Sequence, residues 1–232
     1  MRLTLQARSS ARRTRWVALA NLAALAALGA GRLALVSSVS IQPQQVQGGG
    51  TATGTVAISG AGAFGTVVSL SSSDPAVASV PPSVTIGARS SGASFVVSTA
   101  AGAAGCPRIA AAIARSTGAP QSAQLFVTPP AQSGTFRMGV SSPVVVGGAT
   151  SSGVLSNSVP IPGPPPTVFL TSSNPGVTVP ATVALTLSEV GIPSVSFPIH
   201  TTVVGSTTCS VISARLGTTT VKALLKIVSI SG

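Results

Sequence analysis

The sequence predicts an all-β protein: two tandem antiparallel β-sandwich domains of about seven short strands each, preceded by an N-terminal signal segment. Three observations lead there. First, "VSLSSSDPAVASVPPSV", Val68 to Val84, is echoed by "VFLTSSNPGVTVPATV", Val168 to Val183, so one unit occurs twice. Second, apolar residues recur with a period of two, which gives strands with one buried and one solvated face. Third, the chain is rich in Ser, Thr, Val, Ala and Gly, with 6% charged and 3% aromatic residues and no Tyr, a composition suited to strands rather than helices.

Residues 1–38 read as a targeting segment. "MRLTLQARSSARRTRW" is basic, and "VALANLAALAALGAG" supplies an apolar run before Arg32 interrupts it. That run is shorter than the roughly 20 residues that span a bilayer, so a cleaved signal peptide is expected, with an uncleaved anchor as the alternative. Cleavage fits after Gly31 or after Ser38. Arg12 and Arg13 add a weak hint of twin-arginine export.

Beyond this segment the chain divides into residues 39–128, a linker at 129–135 and residues 136–232. The linker lies within "TPPAQSGT", where paired prolines and small polar residues break the pattern. Each half opens with a strand-like stretch, "SVSIQ" or "FRMGV", followed by "QGGGTATG" or "VGGATSSG". The quoted cassette comes next, then an alternating strand around Phe95 or Phe197, a cysteine, a strand carrying Arg115 or Arg215, and a closing strand. Shared faces are expected for Val56 with Ile58, Val68 with Leu70, Val168 with Leu170, Val84 with Ile86, and Val183 with Leu185 and Leu187. "CPRIAAAIARS" is alanine-rich enough to suggest a helix, but its partner "CSVISARLG" is poor in helix formers, so both are expected to be strands.

The order of these features resembles bacterial immunoglobulin-like (Ig-like) repeats of secreted and cell-surface proteins. The most specific part is S-S-[DN]-P-x-V, held by Ser72, Ser73, Asp74, Pro75 and Val77 and again by Ser172, Ser173, Asn174, Pro175 and Val177. The resemblance spans nearly all of residues 39 to 229. It implies Ig-like sandwiches and a non-catalytic module used as a spacer, stalk or adhesive element, with no binding residues to carry over. The second copy is one residue shorter before its proline, "VTVP" against "VASVP".

Chemistry has few residues to work with. After the leader the titratable groups other than cations and cysteines are Asp74, Glu189 and His200. Asp74 precedes Pro75 in a turn and is replaced by uncharged Asn174 in the second copy, so it reads as a turn former. His200 alternates away from Val195, Phe197 and Ile199 and reads as a solvated strand residue. Glu189 reads as a loop charge. Neither a G-x-S-x-G elbow nor an S-x-x-K pair accompanies the many serines, so no catalytic residue is assigned. No metal ligand set and no cofactor site is expected from two isolated acids. Gly48 to Gly50 lack a following G-K-[ST] and read as a loop needing positive φ.

Of the thirteen basic residues, six lie in the first 32 and seven are scattered, and Asp74 and Glu189 reduce the latter to +5. That distribution argues against nucleic acid. Of the six phenylalanines, Phe169 alternates outward from Val168 and Leu170; the others read mostly as core. Cys106 and Cys209 stand one per unit. Equivalent positions in modules stacked end to end would lie about 20 Å or more apart, so buried free thiols are expected, with an inter-domain or intermolecular disulfide as alternatives.

The reading that follows is a non-catalytic, exported structural or adhesive protein, secreted, periplasmic or at the cell surface. Its partners would be proteins or further copies of itself, met through sheet edges or faces, and membrane contact would come only through residues 1–38 if uncleaved. The alternative is an accessory module for glycan or an anionic envelope polymer. Arg89, Arg115, Phe169 and Arg215 are the candidate binding residues.

Overall fold

The computed structural model describes residues 34–229 except 61–64, 115, 160 and 188–191. The leader up to residue 33, together with Phe64, Arg115 and Glu189, therefore lies outside the described residues. Among those described there is no helix, and nineteen strands form two sandwiches.

The first sandwich uses β1 (Leu35–Gln42), β2 (Gln45–Gln47), β3 (Thr51–Ser59), β4 (Thr66–Ser72), β5 (Ala78–Ser79), β6 (Ser83–Ile86), β7 (Gly92–Thr99), β8 (Arg108–Ala112), β9 (Gln121–Gln124) and β10 (Phe126–Thr128). One sheet has the order β1-β3-β7-β5 and the other β6-β4-β8-β9, with β10 pairing parallel to β2. The second contains β11 (Phe136–Val140), β12 (Val144–Val146), β13 (Thr150–Asn157), β14 (Thr167–Ser172), β15 (Val177–Thr178), β16 (Thr182–Ala184), β17 (Ser194–Thr201), β18 (Thr208–Leu216) and β19 (Thr219–Val228). Its sheets run β11-β13-β17-β15 and β12-β19-β18-β14-β16. In both copies the first, second, fifth and fourth main strands of the Greek key share one sheet and the third, sixth and seventh the other, which is Ig topology.

The strands outnumber the seven per unit expected from the sequence, for a local reason. Pro43 and Pro143 have no N–H to give a ladder, so each first strand breaks there. The chain then crosses from one sheet to the other, where β2 and β12 pair parallel to the last strand. In the first copy Leu125 also interrupts the last strand, its N–H turning to the Pro107 carbonyl. The first strand begins at Leu35, with Val36 buried opposite Ile58, ahead of the expected domain start at 39.

Each sandwich holds its own core. Val56, Ile58, Val68, Leu70, Ile86, Phe95 and Ile109 lie in the first, and Val168, Leu170, Leu185, Phe197, Ile199 and Ile212 in the second. The period-two pairs thus face inward as expected, with one exception. Leu187 is 64% exposed, because β16 ends at Ala184 and the chain has left the sheet by then. "CPRIAAAIARS" contributes a strand, with Ile109 and Ala111 fully buried.

The glycine pairs have a defined task. Gly49 and Gly148 take positive φ (94° and 89°), which lets the chain turn tightly into β3 and β13. A buried threonine pins each turn: Thr99 Oγ1 accepts from Gly49 N and donates to Gly50 O, and Thr201 Oγ1 accepts from Gly148 N and donates to Ala149 O.

Candidate functional site

The repeated cassette closes one corner of each sandwich. Ser73 N donates to Arg108 O while Ser73 Oγ accepts from Arg108 N (2.9 Å). Ser173 makes the same pair of bonds with Val211. Asp74 Oδ1 accepts from Val77 N, and Asn174 Oδ1 accepts from Gly176 N, so both act as turn formers. The one-residue difference is absorbed inside the turn. In the first copy Asp74 O accepts from both Val77 and Ala78, and Ala78 enters β5; in the second Val177 takes that place in β15. Val77 and Val177, equated by the sequence pattern, are therefore not equivalent: Ala78 and Val177 are.

The cysteines correct the expectation of free thiols. Cys106 and Cys209 form a disulfide with a Cα–Cα separation of 6.1 Å. Strand pairing makes these two residues equivalent: Ser72 opposes Ile109 and Ser172 opposes Ile212, each three residues beyond its cysteine. A second pair of equivalent residues also meets, since Lys226 Nζ lies 4.3 Å from the ring centroid of Phe126. End-to-end stacking would keep such equivalent positions about a strand length apart, whereas here they lie side by side at the junction. Phe126, expected in the core, belongs to neither core cluster and is buried at this junction.

The linker is docked as well. Gln132 Oε1 accepts from Met138 N, and its Nε2 donates to Met138 O and to Lys222 O, so one side-chain amide ties the linker to β11 and β19. Nothing in the sequence marks Gln132 for this role, because its partners lie on two strands that only the fold brings together.

A cleft of about 580 Å³ opens beside the disulfide. Ser73, Asp74 and the segment Ala104 to Pro107 come from the first domain; Thr171, Ser173, Asn174, Ser213 and Lys222 come from the second. The two cassettes, whose Asp74 and Asn174 form the turns, also frame this cleft. On the second domain's side the wall is one ladder row: Thr171 is opposite Ser213, which is opposite Lys222. The neighbouring row carries Phe169 opposite Arg215, which is opposite Thr220.

Two of the candidate residues thus come together. The Arg215 guanidinium lies 5.5 Å from the Phe169 ring centroid, and Phe169 is 49% exposed. Arg89 stands apart in the turn before β7 with φ 64°, and Arg115 is outside the described residues. Register gives Arg215 the counterpart Ala112, where the sequence pattern had matched it with Arg115: Phe169 is opposite Arg215 and Ser69 is opposite Ala112. His200 is exposed on β17, in the other sheet of the sandwich. Among the described residues no group of three or more His, Cys, Asp or Glu is placed to hold a metal ion.

No family model matches the chain, and no curated protein matches it in sequence. Among solved structures it is similar to the D0-D1 domains of intimin, at 13% identity over 85% of this chain and 100% of that one, with a TM-score of 0.37. It is also similar to FdeC, an Escherichia coli adhesin, at 16% identity over 84% of this chain and 66% of that one, with a TM-score of 0.35. Domains 5-6 of the S-layer protein SbsC share 14% identity over 86% of this chain and 100% of that one, with a TM-score of 0.30. The strand order within this chain itself makes each half an Ig-like sandwich, the fold to which the repeated cassette pointed.

Proposed function

We propose that the chain is an exported, non-catalytic pair of Ig-like domains that serves as a stiff structural or adhesive element at or beyond the cell surface. The observation that carries this reading is the Cys106–Cys209 bond between the two sandwiches. Disulfides persist in oxidising compartments, and this one, with the docked Gln132, restrains two domains that a seven-residue linker alone would leave free to swing. Asp74 forms its turn through Oδ1, and His200 lies on a different sheet from the cleft wall, so among the described residues the two are not brought together as a hydrolase would need. Cleavage after Gly31 leaves β1 whole, whereas cleavage after Ser38 removes Val36 from its place opposite Ile58.

Fractionation of cells expressing the full chain, followed by intact mass measurement without reductant, tests the proposal. The expected product is outside the cytoplasm, begins at Arg32 and is two hydrogens lighter than its reduced form. Reduced, leader-bearing protein confined to the cytoplasm would overturn it, as would hydrolysis of envelope polymers by the purified product.

A further inference from the structure

We propose that the outward face of β14, β18 and β19, together with the adjoining cleft, binds an acidic saccharide. Of the six cationic residues among those described, Arg215, Lys222 and Lys226 are on the β18–β19 hairpin, although they looked scattered along the sequence. Lys226 is half-buried against Phe126 at the junction, whereas Arg215 and Lys222 are exposed on neighbouring rows of one face. Leu170, Ala214 and Val221 point into the core, so alternation turns Phe169, Thr171, Ser213, Arg215 and Lys222 outward.

The first domain supplies an internal comparison. The same scaffold positions there are Ser69 and Ala112 in place of Phe169 and Arg215, and Ser71, Ala110 and Ser122 in place of Thr171, Ser213 and Lys222. Both copies solve the same folding problem, so the aromatic ring and both cations are extra to what the sandwich requires. An exposed aromatic offers an apolar face to the C–H side of a sugar ring. The hydroxyls of Thr171 and Ser213 exchange hydrogen bonds with sugar hydroxyls, and Arg215 and Lys222 pair with carboxylate or sulfate groups. Asp74 on the facing wall accepts from a sugar hydroxyl through the carboxylate oxygen that its turn leaves unused. The proposal is independent of compartment, and only the Asp74 contact across the cleft relies on the domain arrangement that the disulfide restrains.

Titration of the ¹⁵N-labelled protein with oligogalacturonate, followed by amide shifts, tests it, with maltotriose as the neutral probe and poly-glutamate as the non-sugar polyanion. Shifts are expected along β14, β18 and β19. Affinity should fall about tenfold or more for Phe169→Leu and for the double variant Arg215→Ala, Lys222→Ala, weaken as NaCl rises, and stay unchanged for Arg89→Ala. Phe169→Leu keeps an apolar side chain at an exposed position, so an unchanged melting curve separates lost binding from lost folding. Poly-glutamate binding as tightly as oligogalacturonate would overturn the assignment to saccharide. Indifference to Phe169→Leu, or no binding of oligogalacturonate and of hyaluronan fragments alike, would overturn it too.

Discussion

The ring of Phe95 lies across the backbone of Gly54 on the neighbouring strand, and Phe197 covers Gly153 in the same way. Each glycine is directly opposite its phenylalanine in the ladder. A Cβ on either glycine would fall within the ring, so the missing side chain is what admits the aromatic to the core. Gly54→Ala and Gly153→Ala are expected to destabilise their domains by about 1–3 kcal/mol through overpacking, despite the usual benefit of alanine over glycine in a strand. Phe95→Ala is expected to cost about 3–5 kcal/mol. Urea unfolding checks both; an alanine at 54 that stabilises the protein would contradict the packing described.

Thr201 is buried with its hydroxyl between Gly148 N, at 3.1 Å, and Ala149 O, at 2.6 Å. Valine has the same shape without the hydroxyl, so Thr201→Val leaves those backbone groups without this partner. A loss of about 1–3 kcal/mol is expected, and the same for Thr99→Val in the first domain. Thermal unfolding measures it, and hydrogen exchange at Gly148 and Gly49 should accelerate in the respective variants.

Alternation and turn chemistry were local enough to be legible before the fold was known. Val68 with Leu70, Val168 with Leu170 and the Asx-Pro turns all follow from residues within a few positions of each other. Leu187 escaped because alternation does not say where a strand stops. The junction was not legible, because Cys106–Cys209, Phe126–Lys226 and Gln132–Met138–Lys222 depend on how two finished sandwiches and a linker come together. Phe169 was picked out by its phase and Arg215 by its charge. That they form one feature follows only from the register between β14 and β18, which also removed Arg115 as the counterpart of Arg215.

Asp74 and Asn174 do the same turn job, yet they are not interchangeable in both directions. Asn174 Nδ2 donates to Cys209 O at 3.1 Å, a bond that Asp74 has no means to make. Asp74→Asn should therefore shift stability by less than about 0.5 kcal/mol, as surface changes that keep local bonding usually do. Asn174→Asp places a carboxylate against a carbonyl oxygen and is expected to cost about 1–3 kcal/mol at neutral pH. Paired urea titrations of the two variants decide it, and equal effects would remove the role assigned to the Cys209 contact.

The disulfide joins two cores rather than lying within one. A cross-link closing a loop of about 100 residues can stabilise a single cooperative unit by about 4–5 kcal/mol, through the entropy it removes from the unfolded chain. Here Cys106 and Cys209 are 103 residues apart, but each core is complete on its own side of the bond. If the sandwiches unfold independently, that entropy is never released, and the bond acts mainly on how the domains sit. Cys106→Ser with Cys209→Ser is therefore expected to lower the melting temperature of either domain by only a few degrees. The same pair of changes should enlarge the radius of gyration in small-angle scattering and make Pro129 to Thr135 more open to proteolysis, as the Gln132 docking and the Lys226–Phe126 contact alone cannot restrain the linker. A fall in melting temperature matching the full loop-closure value would mean that the two sandwiches unfold as one unit.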